Sequence, residues 1–148
     1  MTNRQSNTLV LIVEDSDEDY ETITRAFKKS GMGNPVVRCG DGDEALDYLR
    51  RRGKFADGKD FPFPGMILLD LNLPGTDGYE VLEEIKRDQD MKKIPVIVLT
   101  SSSDQRDIDR CYASGANSYM RKPVSFEGFV EAVQRLKEYW FEIAILPK

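Results

Sequence analysis

The chain has 148 residues, with 21 lysines and arginines against 26 aspartates and glutamates, a formal net charge of -5 and no histidine. That length holds one domain with a real core and little else. The missing histidine excludes Ser-His-Asp and Cys-His centres, histidine-ligated zinc and histidine general base catalysis, and the acidic balance argues against binding nucleic acid through the whole surface.

Short apolar runs alternate with longer amphipathic ones, five of each. Residues 9–13 (LVLIV) form a continuous aliphatic run, as a strand buried on both faces shows. Ser16 then caps a helix with Asp17, Glu18 and Asp19 in its first turn. Tyr20, Ile23, Ala26 and Phe27 recur at helical spacing, Lys28 and Lys29 suit the C-terminus, and Gly31 stops it. Residues 35–39 read as a weaker second strand. Asp41-Gly42-Asp43-Glu44 resembles a capping box before a helix with Ala45, Leu46 and Leu49 on one face. Arg50, Arg51 and Arg52 fit a basic patch or a cationic helix C-terminus ending at Gly53, and the helix dipole favours the second. Residues 53–65 make a loop too long for a plain connection.

Residues 66–70 (MILLD) are the third strand, ending in an acid. After the loop LNLPGTDG, Asp77 caps a third helix carrying Val81, Leu82 and Ile85. Residues 95–100 are the fourth strand, and the fourth helix carries Ile108, Cys111 and Tyr112 up to Gly115. Residues 118–121 form a short fifth strand. Lys122-Pro123 follows, and Ser125 caps a last helix with Phe126, Phe129, Val130, Val133, Leu136 and Trp140 at helical spacing.

No apolar run is long enough to span a bilayer, and the N-terminus carries no signal region. Cys39 and Cys111 make neither a CxxC pair nor a disulfide framework. The expectation is a cytoplasmic protein with two buried thiols and no membrane or nucleic-acid partner.

Strand–helix alternation means right-handed βαβ units, and so a doubly wound α/β fold with helices on both faces of a parallel sheet. Ligands then sit beyond the carboxyl ends of the strands. The first strand ends in Glu14-Asp15, the third in Asp70, and the fourth in Thr100, followed by Ser101 and Ser102. The fifth leads to Lys122. Taken singly, these are a helix cap, a β-former and a solvated lysine; their convergence on one edge is harder to dismiss. Three crowded carboxylates repel and raise one pKa unless a cation relieves them. Oxygen donors without histidine or thiolate select a hard divalent ion, and a few carboxylates plus waters is the Mg²⁺ pattern. One such ion and the Lys122 ammonium balance three carboxylates.

Glu14-Asp15, the segment 69–78 (LDLNLPGTDG), Leu99-Thr100 and the segment 119–123 (YMRKP) together resemble the receiver domain of two-component response regulators, the CheY-like superfamily, over residues 8–138. The resemblance implies a flavodoxin-like sheet of order 2-1-3-4-5 with five helices. It makes Asp70 the phosphoacceptor, with Mg²⁺ held by Glu14, Asp15, Asp70 and the backbone carbonyl of Asn72. Thr100 would hydrogen-bond a phosphoryl oxygen, Lys122 would pair with the phosphate, and Lys122–Pro123 would be a cis peptide. Tyr119, on residues alone an ordinary half-buried strand aromatic, becomes the switch aromatic. The chemistry is consistent with these roles, since a carboxylate can attack phosphorus and form an acyl phosphate. The added charge would draw Thr100 inward, and the Tyr119 ring could fill the space it leaves. Such a protein is a phosphoacceptor with self-catalysed transfer and dephosphorylation rather than an enzyme, and its histidine must come from a sensor kinase.

The chain continues past the last helix as WFEIAILPK, so residues 139–148 form an extension, and output is expected by contact rather than through an effector domain. Either Trp140 and Ile143 fold back on their own domain or the tail is a dimer or partner surface, which its apolar content favours. Together with the long loop, this ending looks like the stand-alone response regulators of cyanobacterial phytochromes. It implies a phytochrome kinase as donor and a homodimer through the fourth helix, fifth strand, fifth helix face and extension. Two rival readings fit the sequence less well. A phosphohydrolase of the haloacid dehalogenase type needs a second Asp two residues after the nucleophile, where Asn72 stands. A pseudo-receiver, an interaction module without the chemistry, would not need Asp70, Thr100 and Lys122 together.

Overall fold

The computed structural model describes residues 8–57, 62–101, 104–122 and 125–143, the last three as backbone only. Five strands, β1 (Val10–Val13), β2 (Val36–Cys39), β3 (Met66–Asp70), β4 (Val96–Thr100) and β5 (Ser118–Arg121), alternate with five helices. These are α1 (Asp17–Lys29), α2 (Gly42–Arg50), α3 (Gly78–Arg87), α4 (Gln105–Ala113) and α5 (Phe126–Lys137). The strands are all parallel, in the order β2-β1-β3-β4-β5. The doubly wound α/β architecture expected from the alternation is observed, and so is the flavodoxin-like strand order that the resemblance implies.

Side chains alternate across a strand, so each apolar run feeds two cores. Leu11, Val13, Ile67, Leu69, Val96 and Val98 meet Leu46 and Leu49 of α2, Val81, Leu82 and Ile85 of α3 and Cys111 of α4. Val10, Ile12, Met66, Leu68, Ile97 and Leu99 meet Ile23, Ala26 and Phe27 of α1 and Phe129, Val133 and Leu136 of α5. A run such as MILLD carries no polar position because both of its faces are covered. The strand order reverses at β1, and the crevice above β1 and β3 is where such sheets place their chemistry.

The helices begin where side-chain oxygens can take a free N–H. Ser16, Asp41, Asp77 and Ser125 accept from the backbone N–H of Asp19, Glu44, Glu80 and Gly128 respectively. Both cysteines are buried thiols. Among the described residues, no helix is long and apolar enough to cross a membrane.

The structure refines several local expectations. Helix α2 ends at Arg50, because Arg51 itself adopts the left-handed conformation (φ 58°) and the N–H groups of Arg51 and Arg52 close on Tyr48 and Asp47. The arginines do not form one patch: Arg50 pairs with Glu84, Arg52 with Asp47, and Arg51 lies over the Tyr48 and Phe63 rings. Part of the long connection is ordered by its own core contact. A 3₁₀ turn at Gly53–Phe55 buries Phe55 edge-on against Tyr48, whose hydroxyl donates to the Pro62 carbonyl at 2.6 Å. Tyr112, read with the apolar residues of α4, is 51% exposed.

The tail joins the domain in part. Helix α5 runs on into a π-helical turn at Glu138–Ile143, and half-buried Trp140 packs against the α1–α5 core. Trp140 thus folds back on its own domain, while Tyr139 stays exposed. The Ile143 side chain, residues 144–148, Ser102 and the Lys122–Pro123 peptide expected to be cis lie outside the described residues.

Candidate functional site

The ladder between β1 and β2 holds for one residue past β1, with Glu14 N donating to the Cys39 carbonyl at 3.0 Å. That buries the Glu14 side chain to 1% exposure and leaves Asp15 at the surface. Arg38 of β2 pins this turn. Its Nε donates to the Glu14 carbonyl at 3.0 Å, and its guanidinium pairs with Asp17 at 2.7 Å while covering the Tyr20 ring.

Asp70 closes β3 opposite Leu99 of β4 and is itself buried. Its Oδ1 accepts from the backbone N–H of Asn72 at 3.1 Å, which orients the carboxylate. The loop that follows is held from two sides. The Thr76 hydroxyl donates to Asp43 of α2, and Gly42 sits so close to the Thr76 carbonyl that no side chain fits there. Gly78 starts α3 directly against the backbone of Asp70 and Leu71.

One carboxylate oxygen from each of Glu14, Asp15 and Asp70 lies within 4.8 Å of the others. Thr100, almost fully buried, ends β4 beside them. Lys122 N donates to the Thr100 carbonyl at 2.7 Å, extending the β4–β5 ladder and delivering the lysine to the same edge. Its Nζ donates to Glu14 Oε1 at 2.9 Å, Asp19 Oδ2 at 3.0 Å and Asp70 Oδ2 at 3.5 Å. Tyr119, two residues before Arg121, is half-buried against the α2–α3–α4 core, and its N–H donates to the Tyr112 hydroxyl at 3.2 Å.

The charges respond to this crowding. Burial pushes Glu14 up to about 7; the Lys122 hydrogen bond opposes that rise, and neighbouring Asp70 adds to it. For Lys122, burial alone would lower the ammonium, but hydrogen bonds to Glu14 and Asp19 and the charge of Asp70 raise it above its ordinary value. The donor set is all oxygen, acidic, and drawn from two strand ends. A hard divalent cation fits it, and would relieve the repulsion that burial of Glu14 makes costly.

Glu14, Asp15, Asp70, Thr100 and Lys122 therefore converge as the strand ends implied. Asp19 was missed as a site residue. Its place in the sequence suits a helix-dipole acid, yet from the first turn of α1 it reaches the same edge. The link between α3 and α4 was missed too: the Tyr79 hydroxyl donates to Asp107 at 2.9 Å, and the Arg110 guanidinium lies 3.7 Å over the Tyr79 ring. Those residues are far apart in the chain, and no spacing rule connects them.

Residues 10–134 match the family model "Response regulator receiver domain". The probable methanogenesis regulatory protein FilR2 of Methanothrix harundinacea is 43% identical over 132 residues, 89% of this chain and 83% of that one. The crystal structure of the phosphorylated cyanobacterial phytochrome response regulator RcpA superposes with a TM-score of 0.87 at 39% identity, covering 96% of this chain and 99% of that one. The Mn²⁺-bound form of the response regulator Rcp1 gives 0.85 at 36% identity, covering 95% and 99%. Rcp1, from Synechocystis, is itself 37% identical over 139 residues, 94% of this chain and 92% of its own. An acidic triad beside a lysine, with Glu14 and Asp70 buried and Asp15 at the surface, at the carboxyl edge of a sheet with this order, agrees with all of these likenesses. The chain belongs to the response regulator receiver family, whose members are signalling phosphoacceptors rather than classical enzymes.

Proposed function

We propose that this protein carries signal from a phytochrome-type sensor histidine kinase by accepting a phosphoryl group on Asp70. A carboxylate oxygen of Asp70 attacks phosphorus, the phosphorus–nitrogen bond of the donor phosphohistidine breaks, and its electron pair stays on the imidazole. Hydrolysis reverses the state: water attacks phosphorus, the acyl phosphate bond breaks, and carboxylate and inorganic phosphate are restored. The single observation that carries the reading is Asp70, oriented by Asn72 N–H and flanked by Glu14, Asp15 and the Lys122 ammonium.

Glu14, Asp15, Asp70 and the Asn72 carbonyl would hold Mg²⁺, which when bound neutralises charge that develops on the phosphoryl oxygens. Mn²⁺ in the Rcp1 structure supports a divalent ion here. Lys122 pairs with a phosphoryl oxygen, and buried Thr100 hydrogen-bonds another. Tyr119 then repacks against α4 and transmits the change, its link to Tyr112 being the contact that α4 would feel.

In this reading residues 8–138 are the receiver domain and 139–148 an extension. The protein is cytoplasmic and forms a homodimer through α4, β5, the α5 face and the extension, where Tyr112 and Tyr139 are exposed. Phosphotransfer profiling against the histidine kinases of the source organism tests the partner. Rapid transfer from a phytochrome kinase is expected. Rapid transfer only from kinases of other sensor classes would overturn the assignment.

A further inference from the structure

We propose that Asp19 is a positioning residue for Lys122: it holds the ammonium at the rim of the pocket and competes for it with a phosphoryl group on Asp70. The inference rests on the phosphoacceptor reading. An ammonium has three donors, and three carboxylates take them here. The bonds to Glu14 (2.9 Å) and Asp19 (3.0 Å) are short, whereas that to Asp70 is 3.5 Å, so β1 and α1 set the position of Lys122 rather than the residue it is to serve. Asp19 is held in place by its own backbone, whose N–H donates to Ser16 Oγ at 3.1 Å.

The two short partners are not equivalent. The Glu14 side chain is 1% exposed and that of Asp19 is 48% exposed. Releasing Lys122 from Glu14 leaves a buried carboxylate with at most the metal ion to balance it, while releasing it from Asp19 leaves a carboxylate that water can solvate. Asp19 is therefore the partner that gives way when a phosphoryl dianion offers new acceptor oxygens. A small cavity of about 80 Å³ is lined by both Asp19 and Lys122, with Thr22, Ile23 and Phe129. Asp19 also adds a fourth carboxylate, so one divalent ion and one ammonium no longer balance the pocket. Both effects oppose phosphoryl binding, and removing Asp19 should strengthen it.

The test measures beryllium trifluoride, a phosphoryl mimic, binding in the presence of Mg²⁺ to wild type, Asp19→Asn, Asp19→Ala and Asp19→Glu, with urea unfolding as the check on folding. The half-exposed, near-isosteric Asn variant should bind about three- to tenfold tighter, and the Glu variant should return toward wild type. Without Mg²⁺ or mimic, the ¹⁵N resonance of the Lys122 ammonium should move in Asp19→Asn and return in Asp19→Glu. A merely structural role predicts weaker binding in every variant. Equal or weaker binding by both the Asn and Ala variants, or an unmoved Lys122 resonance, would overturn the role of Asp19. Failure of wild type to bind the mimic or take phosphate from acetyl phosphate would instead overturn the phosphoacceptor reading.

Discussion

Gly78 offers a direct way to ask whether the backbone under Asp70 is as tightly set as the structure implies. A Cβ at this position would stand 2.6 Å from Leu71 Cα, 2.7 Å from the Asp70 carbonyl oxygen and 2.9 Å from the Leu71 carbonyl oxygen. Ordinary contact begins near 3.4 Å, and all three obstacles are backbone, so no side chain can swing aside. The clash resembles overpacking and costs about 1–3 kcal/mol. Against this, Ala in place of Gly near a helix start recovers about 0.5–1 kcal/mol. Taking the middle of each range, the net expectation for Gly78→Ala is a loss of about 1 kcal/mol, read as a lower urea midpoint at unchanged slope. Relief of the clash must shift the Asp70 backbone, and a misplacement of roughly 1 Å can cost about a hundredfold in rate. Phosphorylation by acetyl phosphate, followed by intact mass, should slow accordingly. Gly33, whose added Cβ meets nothing within 4 Å, supplies the control, and Gly33→Ala should alter neither readout. A Gly78→Ala protein at least as stable and as rapidly phosphorylated as wild type would refute the argument.

Burial pushes the Cys39 thiol up to about 12. The folded state therefore keeps a proton that the unfolded chain loses near pH 9, so stability is full below that pH and falls as pH rises toward 12. Wild type should lose about 2 kcal/mol by pH 10.5 relative to Cys39→Ala, measured by urea midpoints of the two proteins across this range; parallel pH profiles would contradict it. Lys122→Ala leaves Glu14 buried without its ammonium and should destabilise the metal-free protein by about 2–3 kcal/mol. It should still accept some phosphate but lose the phosphorylation-dependent change in partner affinity; a normal change would show that Lys122 does not read the phosphate. Truncation after Lys137 removes half-buried Trp140 from the α1–α5 core and should lower stability by about 1–2 kcal/mol. Sedimentation of the same variant tests the dimer, and an unchanged dimer would place the interface elsewhere.

The fold was legible because its strands are apolar on both faces and its helices begin at clear caps. Residues 66–70 could only be a doubly covered strand, and Ser16, Asp41, Asp77 and Ser125 mark the helix starts observed. The site was legible for a related reason: a parallel sheet gathers all its strand ends at one edge, so Glu14, Asp15, Asp70, Thr100 and Lys122 meet despite their separation in the chain. What stayed hidden depends on the direction of a side chain rather than on its place in an element. Asp19 satisfies a helix dipole equally well whether or not it turns toward Lys122. Tyr112 fits the apolar spacing of α4 yet faces outward, and its hydroxyl meets the backbone of Tyr119. The tail's composition pointed outward as well, whereas Trp140 found an apolar face on its own domain.

The central claim is that Asp70 takes the phosphoryl group. Acetyl phosphate with Mg²⁺ should raise the intact mass of wild type by one phosphoryl group and leave Asp70→Asn unchanged. An inert wild type, or a labelled Asp70→Asn protein, would contradict it.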